Sequence, residues 1–175
     1  MARLFDEYGV VETNHVAAVR TGQIKAQYPM DDYQDAENGM LLVVSDVSEV
    51  VSFSTDGTER KIYLHASEER LYEGHEGRSA WMLDGENQIP KMLKLSVGDI
   101  FETNTVDDGD FINQAAVQTA LDANEDVFGI ASDSGLIELK DNTLDLDNYF
   151  VVLSVIGFVT LPNETTGVKF AVVKA

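Results

Sequence analysis

The C-terminal segment restricts the folds open to this chain more than any other part of it. Residues 149–161 read Tyr-Phe-Val-Val-Leu-Ser-Val-Ile-Gly-Phe-Val-Thr-Leu, and such β-branched and aromatic side chains favour strands. A loop of turn-forming residues follows, and residues 168–173 return to an apolar pattern. The pattern predicts a long C-terminal hairpin over residues 149–173, in which Gly157 marks a bend or a bulge.

Two further parts of the chain have clear strand signals. Asn38 and Gly39 form a strong turn signal ahead of a continuous apolar run at residues 40–44. Such a run predicts a strand that is buried on both faces. Residues 127–131 and 136–139 flank a Ser-Asp-Ser-Gly turn and predict a second hairpin.

Three other segments have patterns that place particular side chains. Residues 61–66 alternate between polar and apolar, which predicts a strand with His65 on its exposed face. Residues 111–121 contain alanines and no Gly or Pro, which predicts a helix capped by Asp110. Residues 144–147 alternate Leu with Asp, which predicts a strand with its aspartates in solvent.

The whole pattern indicates about nine or ten short strands and one minor helix. The predicted fold class is therefore mainly β, an antiparallel β-sandwich or barrel. A length of 175 residues fits one compact domain. We predict an extended N-terminal arm over residues 1–22 and a single β-rich domain over residues 23–175, with a long loop at residues 67–90.

Acidic residues dominate the charge of the chain and are unevenly distributed. There are 31 Asp and Glu against 12 Lys and Arg, a formal net charge of −19. Residues 1–30 hold three acids and three bases, whereas residues 104–150 hold eleven acids and one lysine. Affinity for nucleic acid comes from Lys and Arg at the phosphates. The charge therefore argues against nucleic acid and against anionic membranes as partners.

Known catalytic patterns do not occur in the sequence. The chain has no cysteine, which removes disulfides, thiolate nucleophiles and Cys-based zinc sites. It has no Gly-x-Ser-x-Gly motif and no phosphate-binding glycine loop. The N-terminus lacks the apolar core of a secretory signal, and the longest apolar run, residues 149–161, is too short to span a bilayer. We predict a non-enzymatic protein with no catalytic residue, metal or cofactor.

Another class of function stays open as an alternative. His75 lies between Glu73 and Glu76, so a site of carboxylates and imidazole is conceivable there. The acidic stretches at residues 107–110 and 141–148 resemble calcium loops in composition, although neither has the EF-hand spacing. This alternative is a β-barrel ligand-binding domain, or a metal or carboxylate enzyme, that uses residues 67–110.

Residues for binding a partner are predicted in the arm and in the long loop. The arm is neutral and carries apolar side chains, so it can become ordered when it binds. Trp and Tyr are favoured as interface anchors. The predicted partner-binding residues are Arg3, Leu4, Phe5, Tyr8, Val10, Val11 and Arg20 in the arm and Trp81 and Met82 in the loop.

Several segments of residues 20–105 resemble small head proteins that tailed phages encode beside the major capsid protein. The residues that carry the resemblance are Gln23 to Tyr28, Glu37-Asn38-Gly39 followed by the apolar run 40–44, the strand at residues 62–67 with Tyr72 after it, and Leu93-Lys94-Leu95-Ser96-Val97-Gly98-Asp99-Ile100-Phe101-Glu102-Thr103. The last of these looks like an L-x-x-G-D-I-F segment of that family.

The resemblance implies a decoration or cement protein. Such a protein is made in the host cytoplasm and binds the outer surface of the major capsid protein on the virion, where it stabilises the head and can self-associate as a dimer or trimer. An acidic body would keep decorated particles apart in solution. A head–tail joining component or a tail structural protein is the nearest alternative.

Overall fold

A computed structural model of the chain describes residues 3–5, 9–31, 35–67, 82–83, 89–161 and 164–175. These residues form a mainly β structure, as the sequence predicts. The strands are β1 (Val11–His15), β2 (Ile24–Lys25), β3 (Ala36–Glu37), β4 (Leu41–Ser45), β5 (Val50–Ser52), β6 (Ile62–His65), β7 (Met82–Leu83), β8 (Met92–Leu93), β9 (Ile100–Thr103), β10 (Val106–Asp107), β11 (Phe128–Ala131), β12 (Ile137–Lys140), β13 (Val152–Thr160) and β14 (Thr166–Lys174). The helices are α1 (Ala17–Thr21), α2 (Gln114–Asp122) and a short 3-10 helix at Leu146–Asn148.

The strands form two main sheets and one small ribbon. The larger sheet has seven strands in the order β1-β9-β14-β13-β11-β12-β10, and the smaller has five in the order β2-β8-β6-β4-β5. Strands β3 and β7 pair separately. Neighbouring strands are antiparallel except β10 and β12, which are parallel. Both main sheets are open and end in edge strands, which agrees with the sandwich and not with the barrel alternative.

The main core lies between the two sheets. Phe101 on β9 and Phe170 on β14 are cross-strand partners with ring centroids 5.6 Å apart, and both are fully buried. They belong to one apolar cluster with Leu41 and Leu64 of the smaller sheet. Two sheets that share one core in this way bury one face of each.

A second apolar cluster covers the other face of the smaller sheet. Leu42 and Val44 of β4 belong to it, whereas Leu41 of the same strand points into the main core. Met30 joins this cluster and bridges to Val51 of β5. Strand β4 is therefore buried on both faces, as its continuous apolar run predicts.

The predicted extended arm over residues 1–22 is wrong for the residues that the structure describes. Residues 11–15 form β1, which pairs with β9 in the larger sheet. Residues 17–21 form α1, and Val16 and Ala18 are buried in the main core. The alternation of polar and apolar residues in this segment is too short to give a clear strand pattern, but burial of its few apolar side chains holds it in the fold.

Helix α2 begins later than the sequence predicts. Its N-cap is Asn113, whose side-chain oxygen accepts a hydrogen bond from the Ala116 amide at 3.0 Å. Asp110 has a different role, because its carboxylate accepts hydrogen bonds from Lys140 Nζ and from the Asp141 amide. These contacts attach the segment before α2 to the end of β12.

Replacement of the N-cap tests this assignment. We expect Asn113→Ala to lower the free energy of unfolding by about 1 kcal/mol, because the Ala116 amide loses its acceptor. The measurement is the shift of the urea midpoint at constant slope. Asp110→Ala is the matched control and should cost less, because its carboxylate caps no helix and its exposed ion pair with Lys140 contributes little. A larger loss for Asp110→Ala would contradict the assignment.

The predicted strand at residues 144–147 is also wrong. Asp145 accepts a hydrogen bond from the Asp147 amide and caps the 3-10 helix at Leu146–Asn148. Both aspartates are exposed. Short-range capping by Asp therefore determines the local structure here. Among the described residues, no helix has both the length and the apolar character needed to cross a bilayer.

Candidate functional site

The outer face of the larger sheet is the most unusual surface of the described structure. Ala171 of β14 pairs with Ile100 of β9 on one side and with Ser154 of β13 on the other. These side chains point away from the core, because the next pair along, Phe170 and Phe101, points into it. We call this surface the outer face. It consists of Ile100, Ser154, Ile156, Gly157, Ala171 and Val173, and alternation along β9 and β14 places Glu102 and Lys169 on the same side.

Two of these side chains are strongly exposed. Ile156 has 50% of its surface in solvent and Val173 has 43%. Single exposed apolar residues such as Val47 and Ile112, both outside regular structure, are normal for any protein. Contiguous apolar surface on a sheet is different, because it marks sites of protein interaction. The outer face is therefore our candidate functional site.

An irregularity in β13 shapes the centre of the outer face. The pairing shifts between Val155 and Gly157, so that Val155 lies opposite Phe170, Gly157 lies opposite Lys169, and Ile156 is the extra residue between them. A bulge of this kind turns two successive residues toward one side of a strand. The sequence predicts a bend or bulge at Gly157, and the structure confirms it. Ile156 is projected outward as a consequence.

Charged groups also lie on the outer face, because Lys169 of β14 is the direct partner of Gly157 on one side and of Glu102 on the other. Lys169 Nζ donates to Glu102 at 2.9 Å, and Glu12 pairs with Glu102 across the sheet. The outer face therefore combines exposed apolar side chains with one ion pair.

The described residues of the predicted arm are fixed to the body of the protein. Arg3 forms a two-pronged ion pair with Glu37, at 2.8 and 2.9 Å. The Leu4 amide donates to the Val106 carbonyl at 2.8 Å, and the Phe5 ring packs edge-on against Phe158 at 6.4 Å.

Further along the segment, some of the predicted binding residues are buried and others are exposed to solvent. Val10 is buried, and its carbonyl accepts a hydrogen bond from Thr103. Val11 is the first residue of β1 and packs against the main core. Arg20 is exposed in α1. Most of these side chains therefore pack within the protein and are not free to bind a partner.

The remaining predicted binding residues are Tyr8, Trp81 and Met82. Tyr8 and Trp81 lie outside the described residues, as do Tyr72, His75 and most of the predicted loop at residues 67–90. Met82 belongs to β7, which pairs with β3, and only its backbone is described. The prediction of interface anchors in this loop stays a prediction.

His65 is buried and not exposed, which corrects the sequence prediction. Its side chain has 0% of its surface in solvent. Nδ1 lies 2.8 Å from the Glu37 carbonyl, and Nε2 lies 2.8 Å from Ser67 Oγ. An alternating pattern predicts that one face of the strand is exposed to solvent. In the structure, the second apolar cluster and the segment around Glu37 cover that face of the smaller sheet. Burial without a counter-charge lowers the pKa of His65 to about 4.

The acidic residues of the alternative hypothesis, a metal or carboxylate enzyme, do not form a cation site in the described part of the chain. There, no group of three or more His, Asp or Glu side chains has the geometry to hold a metal ion. Asp107 is buried on β10, and burial raises the pKa of its carboxyl group. Its oxygen accepts from the Gly109 amide at 3.0 Å, which stabilises a local turn.

Sequence reasoning missed the outer face, although a signal was present. The run at residues 151–159 is apolar at positions that face both ways from the strand. That pattern is typical of a strand covered on both sides. Among the residues that the structure describes, only one side of β13 is covered.

Comparisons with known proteins give no further identification. The chain matches no protein-family model, no curated protein and no solved structure at a significant level.

Proposed function

We propose that this chain is a non-enzymatic structural protein that works by binding another protein. The observation that carries the proposal is the partly apolar outer face of the larger sheet, with Ile156 and Val173 exposed, on a chain of net charge −19. Protein interfaces deplete charged residues at their centre and keep a polar rim. The outer face is similarly poor in charge, since one ion pair, Lys169–Glu102, lies among its apolar and small side chains.

The more specific proposal is a capsid decoration or cement protein of a tailed-phage head. Its support is the resemblance of residues 20–105 to small head proteins, which includes the segment Leu93 to Thr103. In the fold, that segment passes through β8 and β9 and supplies Ile100 to the outer face. The partner would be the outer surface of the major capsid protein. An acidic body on the other side would keep decorated particles apart.

Co-sedimentation with purified phage heads that lack the protein tests this proposal. We expect saturable binding of the full chain, with a fixed number of copies per head at the plateau. A chain without residues 1–5 should still bind, because the described arm residues pack on the body and not toward a partner. Circular dichroism of both proteins controls for folding. No binding of the full chain would contradict the proposed function.

A further inference from the structure

Asn38 and Gly39, between β3 and β4, form the only Asn-Gly pair of the chain. Asn is one of the chemically labile residues, because its side-chain amide can be lost as ammonia. The loss begins when the main-chain nitrogen of the next residue attacks the side-chain carbon Cγ. Glycine as the next residue favours this attack, since it has no side chain to hinder it and its backbone is the least restricted. Asn38 is therefore the most labile amide of this sequence.

The fold requires glycine at position 39. Its φ angle is 91°, which an L-amino acid disfavours. A Cβ atom there would lie 1.9 Å from Thr103 Oγ1 and 2.5 Å from Thr105 Oγ1. The chain therefore cannot lower the reactivity of Asn38 by placing a larger residue after it.

The fold also uses both halves of the Asn38 amide. Nδ2 donates to the Ser67 carbonyl at 3.1 Å, and Oδ1 accepts from the Ser67 amide at 2.8 Å. A carboxylate can accept from an amide but has no proton to donate. Aspartate at position 38 would therefore satisfy one of the two bonds and set an oxygen against the Ser67 carbonyl.

The same region holds the two reacting atoms apart. The Gly39 nitrogen donates its proton to the His65 carbonyl at 2.8 Å, while the Asn38 side chain is bound to Ser67. Ser67 is fixed in turn, because its hydroxyl bonds to His65 Nε2 at 2.8 Å and accepts from the Lys91 amide at 3.1 Å. We call Asn38, Gly39, His65, Ser67 and Lys91 the junction. While it is closed, the Gly39 nitrogen keeps its proton and Asn38 Cγ cannot move toward it.

From these contacts we propose that Asn38 is a deamidation site, which the closed junction holds unreactive and which reacts when the junction opens. Base then removes the Gly39 amide proton, and the nitrogen forms a bond to Asn38 Cγ. The bond from Cγ to Nδ2 breaks, and Nδ2 takes up a proton from water and leaves as ammonia. Water opens the cyclic imide at either carbonyl carbon, which gives aspartate or isoaspartate. The net reaction consumes a water molecule and releases ammonia.

Neither product can close the junction as before. Aspartate lacks the donor for the Ser67 carbonyl and places a second carboxylate beside that of Glu37. Isoaspartate adds a methylene group to the main chain just before Gly39, whose amide pairs with His65. Deamidation therefore makes an opening of the junction permanent. This inference is independent of the proposed function, because it concerns the chain whether or not a partner is bound.

The rate of deamidation in the folded and the unfolded chain tests the proposal. The full chain is incubated at pH 8 with and without guanidinium chloride, and mass spectrometry follows the peptide that contains residue 38. We expect the folded chain to react about a hundredfold more slowly, in proportion to the fraction of molecules with an open junction. Asn142, which is exposed and precedes Thr143, is the internal control and should react slowly in both states. Equal rates at Asn38 in the two states would overturn the proposal.

A variant that loosens the junction supplies an independent test. Ser67→Ala removes the hydroxyl that joins His65 to the Lys91 amide and keeps the backbone groups that bind Asn38. We expect deamidation of the folded variant to be about tenfold faster than that of the unaltered chain. Ser48→Ala, in the exposed turn between β4 and β5, is the matched control and should leave the rate unchanged. Circular dichroism verifies that both variants are folded, and an unchanged rate in folded Ser67→Ala would contradict control by the junction.

Substitution with the product residue tests the permanence of the change. Asn38→Asp should lower the urea midpoint of unfolding, because the Ser67 carbonyl loses its donor. Asn142→Asp introduces the same charge at an exposed position and should leave the midpoint nearly unchanged. Equal midpoints for the two variants would show that the junction closes without the amide, and would overturn this part of the proposal.

Discussion

Replacing Gly39 with alanine is expected to lower the free energy of unfolding by about 3 kcal/mol. Gly39 has a φ angle of 91°, in the left-handed region that alanine disfavours. A Cβ atom at this position would lie 1.9 Å from Thr103 Oγ1 and 2.5 Å from Thr105 Oγ1. Thr103 Oγ1 donates to the Val10 carbonyl at 2.7 Å. The added methyl group would therefore break the contact between the N-terminal segment and β9.

The matched control for this prediction is Gly22→Ala. Gly22 also has a positive φ angle, 71°, but a Cβ atom there would have no heavy atom within 4 Å. We expect a loss of about 1 kcal/mol from backbone strain alone. Urea unfolding measures the loss of unfolding free energy in each variant. The difference between the two losses is the steric contribution at Gly39. Equal losses in the two variants would show that Gly39 tolerates a side chain.

The stability of the protein should fall by about 3 kcal/mol as the pH is lowered from about 6.5 to about 4, through the protonation of His65. The folded state holds the pKa of His65 at about 4, below its ordinary value of 6.5. Between these values the unfolded chain binds the extra proton and the folded chain does not. The contribution is therefore complete above pH 6.5 and is lost as the pH falls toward the folded pKa.

The surroundings of His65 explain why the folded state resists protonation. Nδ1 faces the Glu37 carbonyl, so it carries the proton in the neutral ring. Nε2 then accepts from the Ser67 hydroxyl, whose oxygen accepts from the Lys91 amide at 3.1 Å. A second proton on the ring, at Nε2, would face the hydroxyl proton of Ser67, and the two would repel each other. The nearby Glu37 carboxylate is already bound by Arg3 and by the Gly9 amide.

The pH prediction is measured by urea unfolding between pH 5 and pH 7, above the range where most carboxylates titrate. His65→Gln provides the comparison, because it removes the titrating ring and keeps a polar side chain. We expect the variant to be less stable at pH 7 and to lose the slope of stability against pH in this range. The same slope in both proteins would mean that another group is responsible.

The parts of the fold that the sequence predicted correctly have strong local patterns. The C-terminal hairpin, the hairpin of β11 and β12, and the doubly buried β4 each combine a run of apolar residues with a clear turn. The two-residue strands β2, β3, β7, β8 and β10 are too short to have a period. This explains why the sequence indicates about nine or ten strands, whereas the described residues form fourteen.

The incorrect predictions depend on contacts between residues far apart in the chain. His65 alternates with Leu64 and looks exposed, but packing against both sides of β6 removes its wet face. Arg3 and Phe5 look free, but their partners Glu37 and Phe158 are distant in sequence. The outer face was missed for the opposite reason. Its apolar residues have the pattern of buried ones, and only the pairing of β9, β13 and β14 shows that nothing in the described chain covers them.

The most direct test of the central claim, that this chain binds another protein through the outer face, is thiol protection at a single position. The chain has no cysteine, so Ile156→Cys and Val47→Cys each introduce one unique, exposed thiol on different parts of the surface. The measurement is the rate of maleimide labelling of each variant, free and bound to phage heads. Our account predicts slower labelling on binding at position 156 and an unchanged rate at position 47. Equal labelling of position 156 in free and bound protein would contradict it.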